Sequence, residues 1–569
     1  MVRLTIDNRP VECADGTTIL TVARSVGINI PTLCYLKDIN EIAACRICCV
    51  EIEGVDRLAA ACNTVAENGM TVYTNSPRVR EARKTNLELI LSEHDCKCPT
   101  CVRNGNCTLQ TLAREFNIFE PVYQGKIAKN KKTCLPLVKT DSKCVKCMRC
   151  VSVCEKVQGL GIWDAVGTGE NLRIVVKPGL SIEKNCSLCG QCITHCPVGA
   201  LRERDDTDKV YDALASKDKI TVLQVAPAVR SAWAEELGLD KSLATEKRMV
   251  SAIKALGFDY VFDTDWAADL TIMEEGSELI HRVKNGGKFP MFTSCCPGWV
   301  RFMKAEYPEF TDNLSTAKSP QQMFGAIAKS YFAEKINADP KNIFCVSVMP
   351  CTAKKHEVAI PNLNDACGDP DVDVSLTTRE LSRMIRADHI DVSALEESEF
   401  DSPLGTATGA GVIFGATGGV LEAALRSAYF LIKGENPPVD AFKLVRAPGE
   451  RREAELEIDG INLSVAVTSG LANTKALLDD IKSGRKKYDF VEIMACPGGC
   501  AGGGGQPIHE GLECAGERGQ ILYNLDESYE IRFSHENPSV KTIYDEFLEK
   551  PLGHKSHKLL HTDLKEWNL

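Results

Sequence analysis

Two cysteine runs of the same spacing constrain this chain more than anything else in it. Cys144-x2-Cys147-x2-Cys150-x3-Cys154 recurs as Cys186-x2-Cys189-x2-Cys192-x3-Cys196, followed by Pro197. Thiolates are soft ligands suited to iron–sulfur clusters. In a doubled run of this kind each fourth cysteine serves the cluster of the other run. The spacing therefore predicts one 4Fe–4S cluster on Cys144, Cys147, Cys150 and Cys196, and a second on Cys186, Cys189, Cys192 and Cys154. Glu155 follows the first run where a proline follows the second, a change that touches turn geometry alone. Zinc or chance accounts poorly for an eight-cysteine repeat.

The chain has 27 cysteines in 569 residues. Disulfide frameworks belong to small secreted chains, whereas these thiols sit at two-residue spacings in a large one. The N-terminus, Met1-Val-Arg-Leu-Thr-Ile-Asp7, has no apolar signal segment. The longest apolar-leaning stretch, residues 411–432, is interrupted by glycines and by Glu422 and Arg426, so it does not read as a membrane span. A cytoplasmic protein whose thiols hold metal is the expectation, and the length allows three or four domains.

Before the repeat lie two further ligand groups. Val2, Leu4 and Ile6 alternate as a strand, Asp7-Asn8-Arg9 reads as a turn, and a second short strand surrounds Val11. Thr17-Thr18 opens a short helix with Leu20 and Ala23 on one face and Gly27 at its end. Cys34, Cys45, Cys48 and Cys62 follow and suit a 2Fe–2S cluster. The Cys34–Cys45 gap departs from the plant-type spacing, and a four-thiolate zinc site is the alternative. Cys13 and Cys49 are left over as packing residues. A helix over Val79–Leu91 then leads into His94-Asp-Cys96-Lys-Cys98-Pro-Thr-Cys101-x5-Cys107, where His94 and Cys96 compete for a fourth ligand position that spacing does not decide.

Charge divides the chain. Residues 1–209 carry 28 Lys and Arg against 24 Asp and Glu, and the remainder carries 39 against 54. Residues 101–150 hold 10 basic and 3 acidic side chains, Lys126, Lys129, Lys131 and Lys132 among them. No nucleic-acid-binding motif accompanies them. The stretch suits either a docking face for a small acidic redox protein or a solvated loop.

From Lys217 the texture becomes alternating βα. Ile220–Ala226 reads as a buried strand, Ser231–Leu237 as a helix and Tyr260–Asp265 as a strand. Further strands are expected around Ile343–Val348, Leu463–Val467 and Phe490–Met494. Residues 409–419 lack the order of a dinucleotide-binding glycine loop and read as a packing loop. Three motifs sit in or beside these strands: Thr293-Ser-Cys295-Cys296-Pro-Gly-Trp299, Met349-Pro-Cys351-Thr-Ala-Lys354, and Glu492-Ile-Met494-Ala-Cys496-x3-Cys500-Ala-Gly-Gly-Gly-Gly-Gln-Pro507. Cofactors in α/β sheets favour the C-terminal ends of strands, so the motifs are expected on loops converging over a sheet. The glycines after Cys500 would let backbone crowd a bulky inorganic group.

These three motifs, in this order, resemble those of the iron-only (FeFe) hydrogenases. With the cluster groups before them, the resemblance spans essentially the whole chain and points to the large monomeric, ferredoxin-linked form. It implies four domains: a β-grasp 2Fe–2S ferredoxin-like domain over 1–80, a small helical His/Cys3 4Fe–4S domain over 81–125, a two-4Fe–4S ferredoxin-like domain over 126–209, and a large α/β active-site domain over 210–569. The fold class is thus α+β and α/β multidomain. The activity implied is reversible reduction of protons to H2, with electrons exchanged with ferredoxin or a similar small acidic carrier.

The resemblance also implies the site. Cys296, Cys351, Cys496 and Cys500 would hold the 4Fe–4S cube of an H-cluster, and Cys500 would bridge to a diiron azadithiolate unit carrying CO and cyanide. That unit requires hydrogenase maturation proteins. His94, Cys98, Cys101 and Cys107 would hold a third accessory 4Fe–4S cluster, leaving Cys96 spare. Lys354 would meet a cyanide, Met349 and Met494 would pack beside the diiron unit, and Gln321 with the Ala226-Pro227 backbone would line its diatomic ligands. Ala228 stands where some relatives have serine. Cys295 would donate protons, relayed by Glu275, Ser315, Glu278 and Arg282. By spacing alone Glu275, Glu278 and Arg282 form one charged helix face, which is ordinarily solvated.

The resemblance fits a monomer or loose homo-oligomer without nucleic-acid or membrane partners. Cys134, Cys345, Cys367 and Cys514 receive no role. The rivals are an iron–sulfur assembly factor, which should lack some motif residues, a hydrogen sensor, which should alter Cys295 or the relay, and an NADH-dehydrogenase-type subunit, which should lack the three C-terminal motifs.

Overall fold

The computed structural model describes residues 1–120, 122–130, 133–447, 449–510 and 512–567. The chain divides into two compact units. The first comprises Met1–Val157, Gly161–Leu180 and His195–Arg202; the second comprises Gln158–Leu160, Ser181–Thr194 and Glu203–Leu569. The doubled cysteine run is thereby shared out: Cys144, Cys147, Cys150, Cys154 and Cys196 lie in the first unit, and Cys186, Cys189 and Cys192 in the second.

The first unit begins with an antiparallel hairpin of strands Val2–Ile6 and Arg9–Cys13. Asp7 and Asn8 both have positive φ, 48° and 65°, as a two-residue hairpin turn with right-handed twist demands. These strands extend a five-stranded sheet completed by Thr71–Tyr73, Cys49–Ile52 and Ala59–Ala60. The helix Ile19–Ser25 buries Ile19, Leu20, Val22 and Ala23. It starts where the Thr18 hydroxyl accepts the Thr21 N–H at 3.4 Å, a standard N-cap. The next helix runs Pro77–Ser92, with Ser76 as cap and proline in its first turn.

Of the ten basic residues in 101–150, several are committed internally. Arg103 and Arg149 are buried and donate to the Cys196 and Tyr35 carbonyls at 3.0 and 3.1 Å. Lys139 pairs with Asp141, and Lys146 with Glu93. Lys126 and Lys129 are exposed; Lys131 and Lys132 lie outside the described residues.

The second unit is built on two four-stranded sheets. One runs Tyr260–Asp263, Ile220–Val225, Ile343–Met349, Val374–Thr377, all parallel. The other runs Met291–Phe292, Phe490–Met494, Ile461–Ser469, Arg451–Ile458, parallel except for its last strand. The three motifs leave the C-terminal ends of Met291–Phe292, Ile343–Met349 and Phe490–Met494. The sequence reading of one sheet beneath all three is corrected: Cys351 comes from the first sheet, and Cys296, Cys496 and Cys500 from the second.

Ser231–Leu237 is not a regular helix. The segment makes short 3-10 turns at Pro227–Val229 and Glu235–Leu237. Its residues up to Ala234 are buried, and Arg230, at its start, is tied to Asp263, Asp265 and Glu246, which fixes the chain in these turns. Residues 409–419 hold a short helix, Gly409–Val412, and a 3-10 turn before the helix Gly419–Lys433. The longest helix, Thr264–Asn285, is buried through most of its length. Glu275 is 1 % exposed and Glu278 8 %, so the solvated charged face expected from spacing is an interior one. Among the described residues no helix is long and apolar enough to cross a membrane.

Candidate active site

Three strand-end loops bring four thiols together. Cys296 precedes the helix Pro297–Glu306, and its loop is fixed by Trp299 Nε1 donating to the Thr293 carbonyl at 3.1 Å and Ser294 Oγ to the Ala317 carbonyl at 2.7 Å. Cys496 lies two residues beyond Met494, the last residue of its strand. Glu492, earlier on that strand, accepts the backbone N–H groups of Gly418 and Leu421 at 2.6 and 2.8 Å. These lie at the start of the helix Gly419–Lys433, where a carboxylate is favoured.

Burial raises the pKa of Cys296, Cys351, Cys496 and Cys500, and mutual repulsion pushes the last three further up. Cys351 reaches about 12. Cys295, Cys296, Cys351 and Cys500 are each partly accessible although protein surrounds them deeply, so they line an internal hollow. Four thiolates buried beside one ammonium, Lys354, need a cationic group among them. Among the described residues no three His, Cys, Asp or Glu side chains are placed to share a single metal ion. An all-thiolate donor set is the one iron–sulfur clusters take. The donor set fits a cluster.

The glycine run is crowded by protein backbone as well. A Cβ on Gly503 would lie 2.0 Å from the Pro350 carbonyl oxygen, and one on Gly504 would lie 2.2 Å from that of Cys189. What crowds these glycines is the backbone of two other cysteine loops. The Cys189 loop also meets this segment through Gln191 Nε2, which donates to the Gly502 carbonyl at 2.8 Å, and through Cys496 Sγ, 3.8 Å from the Cys189 carbonyl.

Lys354 is buried, yet Glu357 and the neighbouring thiols outweigh the desolvation and raise its pKa. Its Nζ donates to both Glu357 oxygens and to the Cys295 carbonyl at 3.1 Å. Glu357 also accepts from Ser319 Oγ and Gln321 Nε2, at 2.9 and 2.7 Å, and Gln321 Oε1 accepts from Ser347. Sequence reasoning gave Glu357 no role, although its i, i+3 spacing from Lys354 was a usable signal. Met494 packs in one apolar cluster with Cys295 and Cys296, and Met349 in another with Ala226 and Cys351. Pro227 and Ala228 are buried beside them, and the Ala228 carbonyl accepts from Gln506 at 2.8 Å.

From Cys295 a polar line runs to Glu275, Ser315 and Glu278. The Cys295 thiol is pushed well above its ordinary pKa by burial and by Glu275. Burial and the nearby Glu278 raise Glu275 to about 8, and its Oε2 has no hydrogen-bond partner. Ser315 contacts Glu275 and lies 3.0 Å from Glu278 Oε2, while its oxygen accepts the Ala317 N–H at 3.2 Å. A hydroxyl has one proton to give, so contact with both carboxyls is complete when one of them is protonated. Glu278 pairs with Arg282.

The other ligand groups also assemble. In the first unit Cys34 contacts Cys45, and Cys48 contacts Cys62, two pairs as two irons require. Cys49 is buried and Cys13 half-buried. Cys144, Cys147 and Cys150 each feel the charge of Cys196. His94 is buried with its Nδ1 unpartnered, and desolvation holds it neutral by lowering its pKa to about 4. Cys98, Cys101 and Cys107 are half-buried and Cys96 is exposed. Cys345, without a role in the sequence reading, is a core residue of its strand.

A thiolate cradle in the second unit, together with several further groups of buried cysteines, defines an iron–sulfur oxidoreductase. Residues 219–504 match the family described as iron only hydrogenase large subunit, C-terminal domain, and residues 513–567 match iron hydrogenase small subunit. Residues 1–77 match a 2Fe-2S iron-sulfur cluster binding domain. Residues 83–121 match an NADH-ubiquinone oxidoreductase-G iron-sulfur binding region, and 136–202 an NADH-quinone oxidoreductase subunit 3 ferredoxin-like domain. The chain is 45% identical to the NADP-reducing hydrogenase subunit HndD of Solidesulfovibrio fructosivorans, over 99% of this chain and 98% of that protein. It is 40% identical to iron hydrogenase 1 of Clostridium pasteurianum, over 97% and 98%. An apo [FeFe]-hydrogenase HydA1 variant from Chlamydomonas reinhardtii superposes with a TM-score of 0.56 at 43% identity, covering 63% of this chain and 98% of that one. The chain belongs to the FeFe hydrogenases. It is a hydrogenase with an H-cluster and with 2Fe–2S and 4Fe–4S domains.

Proposed function

We propose that the chain reversibly reduces protons to H2 with Cys296, Cys351, Cys496 and Cys500 as the H-cluster ligands and Cys295 as the proton donor beside them. The observation that carries this is the convergence of those four thiols with a fifth, non-ligating thiol at the head of a buried carboxyl line. When bound, the H-cluster supplies the iron centre at which H2 is made or split. Cys295 holds its proton because burial disfavours the thiolate. Glu275 accepts and returns that proton near neutral pH, where proton transfer is most efficient. Ser315 links it to Glu278, and Arg282 orients Glu278. Lys354, held by Glu357, presents a fixed ammonium to an anionic ligand.

The accessory set in this proposal is one 2Fe–2S cluster on Cys34, Cys45, Cys48 and Cys62, a 4Fe–4S cluster on His94, Cys98, Cys101 and Cys107, and the two clusters of the doubled run. Contact of the Cys189 loop with the Gly502–Gly504 backbone supports electron delivery from the second of these to the cradle. Ferredoxin is the proposed partner, at the exposed Lys126–Lys129 stretch. A second reading, in which a partner subunit passes the electrons to NADP, is favoured by the likeness to the NADP-reducing subunit. Matured protein is expected to give CO and cyanide infrared bands and to evolve H2 from reduced ferredoxin. Absence of those bands despite maturation would overturn the cluster assignment, and turnover with NADPH and a partner but not with ferredoxin would favour the second reading.

A further inference from the structure

Arg282 cannot take a proton onward from Glu278, because a guanidinium is never deprotonated in a protein. Its Nη groups also donate to carbonyls, those of Lys288 at 3.4 Å, Asn313 at 3.2 Å and Leu314 at 2.7 Å. A second group does reach Glu278. The Thr316 N–H donates to Glu278 Oε2 at 3.0 Å, and Thr316 Oγ1 lies 3.3 Å from that oxygen. The same Oγ1 lies 2.8 Å from His561 Nδ1, and His561 Nε2 lies 3.0 Å from Glu274 Oε2. Glu274 also accepts from the Tyr544 hydroxyl and from the Leu552 N–H. A carboxylate so bonded takes a donor from His561, which puts the ring N–H on Nε2 and leaves Nδ1 to accept from Thr316.

The backbone fixes this register. Ala317 and His561 form a β-bridge, the Lys318 N–H donates to the Leu560 carbonyl at 2.8 Å, and the Thr562 N–H to that of Thr316 at 2.9 Å. The ring of the exposed His557 stacks on His561, centroids 4.8 Å apart and planes at 4°. Both histidines and Thr316 line an open cavity of about 350 Å³, with Asp312, Asp563 and Lys565 at its rim.

We propose that Thr316 and His561 form a branch through which Glu278 exchanges protons with solvent, so that the C-terminal segment matching the iron hydrogenase small subunit takes part in proton supply. In the outward direction the Glu278 O–H bond breaks as Thr316 Oγ1 takes that proton. The proton already on Oγ1 passes to His561 Nδ1, giving an imidazolium held against the Glu274 carboxylate. With the Thr316 hydroxyl turned back to Glu278, cavity water takes the proton from His561 Nδ1, which leaves the N–H on Nε2 against Glu274 and restores the starting tautomer; no electrons move. Inward transfer reverses each step. Thr316 and His561 are positioning and conducting residues; neither touches the reacting atoms.

The inference rests on Glu278 as a relay residue, and the test separates the two. Matured wild type, Glu278→Gln, Thr316→Val, Thr316→Ser and His561→Ala are compared for H2 evolution across pH, with infrared spectra and iron content as controls for assembly. Thr316→Val and His561→Ala are expected to lose three- to tenfold in turnover with unchanged infrared bands, and Thr316→Ser to stay near wild type. Added imidazole is expected to restore His561→Ala but not Thr316→Val, since only the former leaves the hydroxyl in place. Wild-type rates in Thr316→Val and His561→Ala, beside a slow Glu278→Gln, would overturn the branch and leave the relay standing. A wild-type rate in Glu278→Gln would overturn the relay reading itself. Loss in His561→Ala that imidazole does not restore would assign the ring a structural role and overturn the proposal.

Discussion

Both carboxylate oxygens of Glu357 accept from Lys354 Nζ, at 3.2 and 2.9 Å, and neither side chain is exposed by more than a tenth. Removing one partner of such a buried pair costs about 3–5 kcal/mol, whereas replacing both by apolar groups is often neutral. Glu357→Gln is therefore expected to destabilise the unmatured chain by that order, and Lys354→Met with Glu357→Met by much less. Urea unfolding of the two variants checks this. In matured protein Glu357→Gln should also shift the infrared bands, because the ammonium loses its anchor.

Cys295 is expected to decide turnover without deciding assembly. Cys295→Ser keeps the volume but replaces a thiol with a hydroxyl of far higher pKa, which stops proton exchange with Glu275. General acid–base groups contribute about 10²–10⁴-fold, and a loss in that range is the expected outcome, with the infrared bands of the assembled site retained. Wild-type H2 evolution in this variant would remove Cys295 from the relay.

Much of this was legible beforehand, for a physical reason. The doubled cysteine run has a local spacing, so it could be read from the chain directly, whereas the choice of His94 over Cys96 and the set Cys296, Cys351, Cys496 and Cys500 came only with the family resemblance. Strand ends followed from apolar runs such as residues 343–348. The Asp7-Asn8 hairpin was likewise a local signal. Burial of charge was not legible. Glu275 and Glu278 have the spacing of a solvated face, and only the layers packed around Thr264–Asn285 make that face internal. Thr316 and His561 owe their contacts to segments that meet only in the folded chain, as Glu357 owes its contacts with Ser319 and Gln321. The glycines of 502–505 were visible, but their neighbours, Pro350 and Cys189, lie far away in sequence.

Glu275 carries a pH signature. Its folded pKa of about 8 lies above its ordinary 4.5, chiefly through desolvation and then through Glu278. A carboxyl raised in the fold contributes stability that is fully present below the unfolded value and is lost as pH rises through the folded one. Between pH 5 and 8 the unmatured chain should therefore lose stability with a slope of up to about 1.4 kcal/mol per pH unit from this group. Glu275→Gln should flatten that part of the profile. Parallel profiles for the two proteins in urea unfolding would contradict the assignment.

His94 and Cys96 compete for one ligand position, and their environments separate them. His94 is buried, neutral and unpartnered at Nδ1, whereas Cys96 is exposed with its Sγ 3.4 Å from the His94 carbonyl. His94→Ala is expected to lose one 4Fe–4S electron paramagnetic resonance signal and about four irons per chain, the content of one such cluster. Cys96→Ser should retain both. The opposite result would give the position to the cysteine.

Gly503 and Gly516 make a matched pair for the packing of the cradle. An added Cβ at Gly503 meets the Pro350 carbonyl oxygen at 2.0 Å and its carbon at 2.9 Å, with the Cys500 carbonyl oxygen also at 2.9 Å. Backbone cannot swing aside as a side chain can, so Gly503→Ala should exceed the about 1–3 kcal/mol usual for overpacking and displace Cys351 relative to Cys500. Iron incorporation should fall in step with unfolding stability. At Gly516, near the start of the exposed face of the helix Ala515–Ser528, nothing lies within 4 Å. There alanine lowers only the entropy of the unfolded chain, and Gly516→Ala should stabilise by about 0.4–1 kcal/mol with full iron content. Tolerance of alanine at Gly503 with full iron content would mean that the cysteine loops do not need this close approach to hold their cluster.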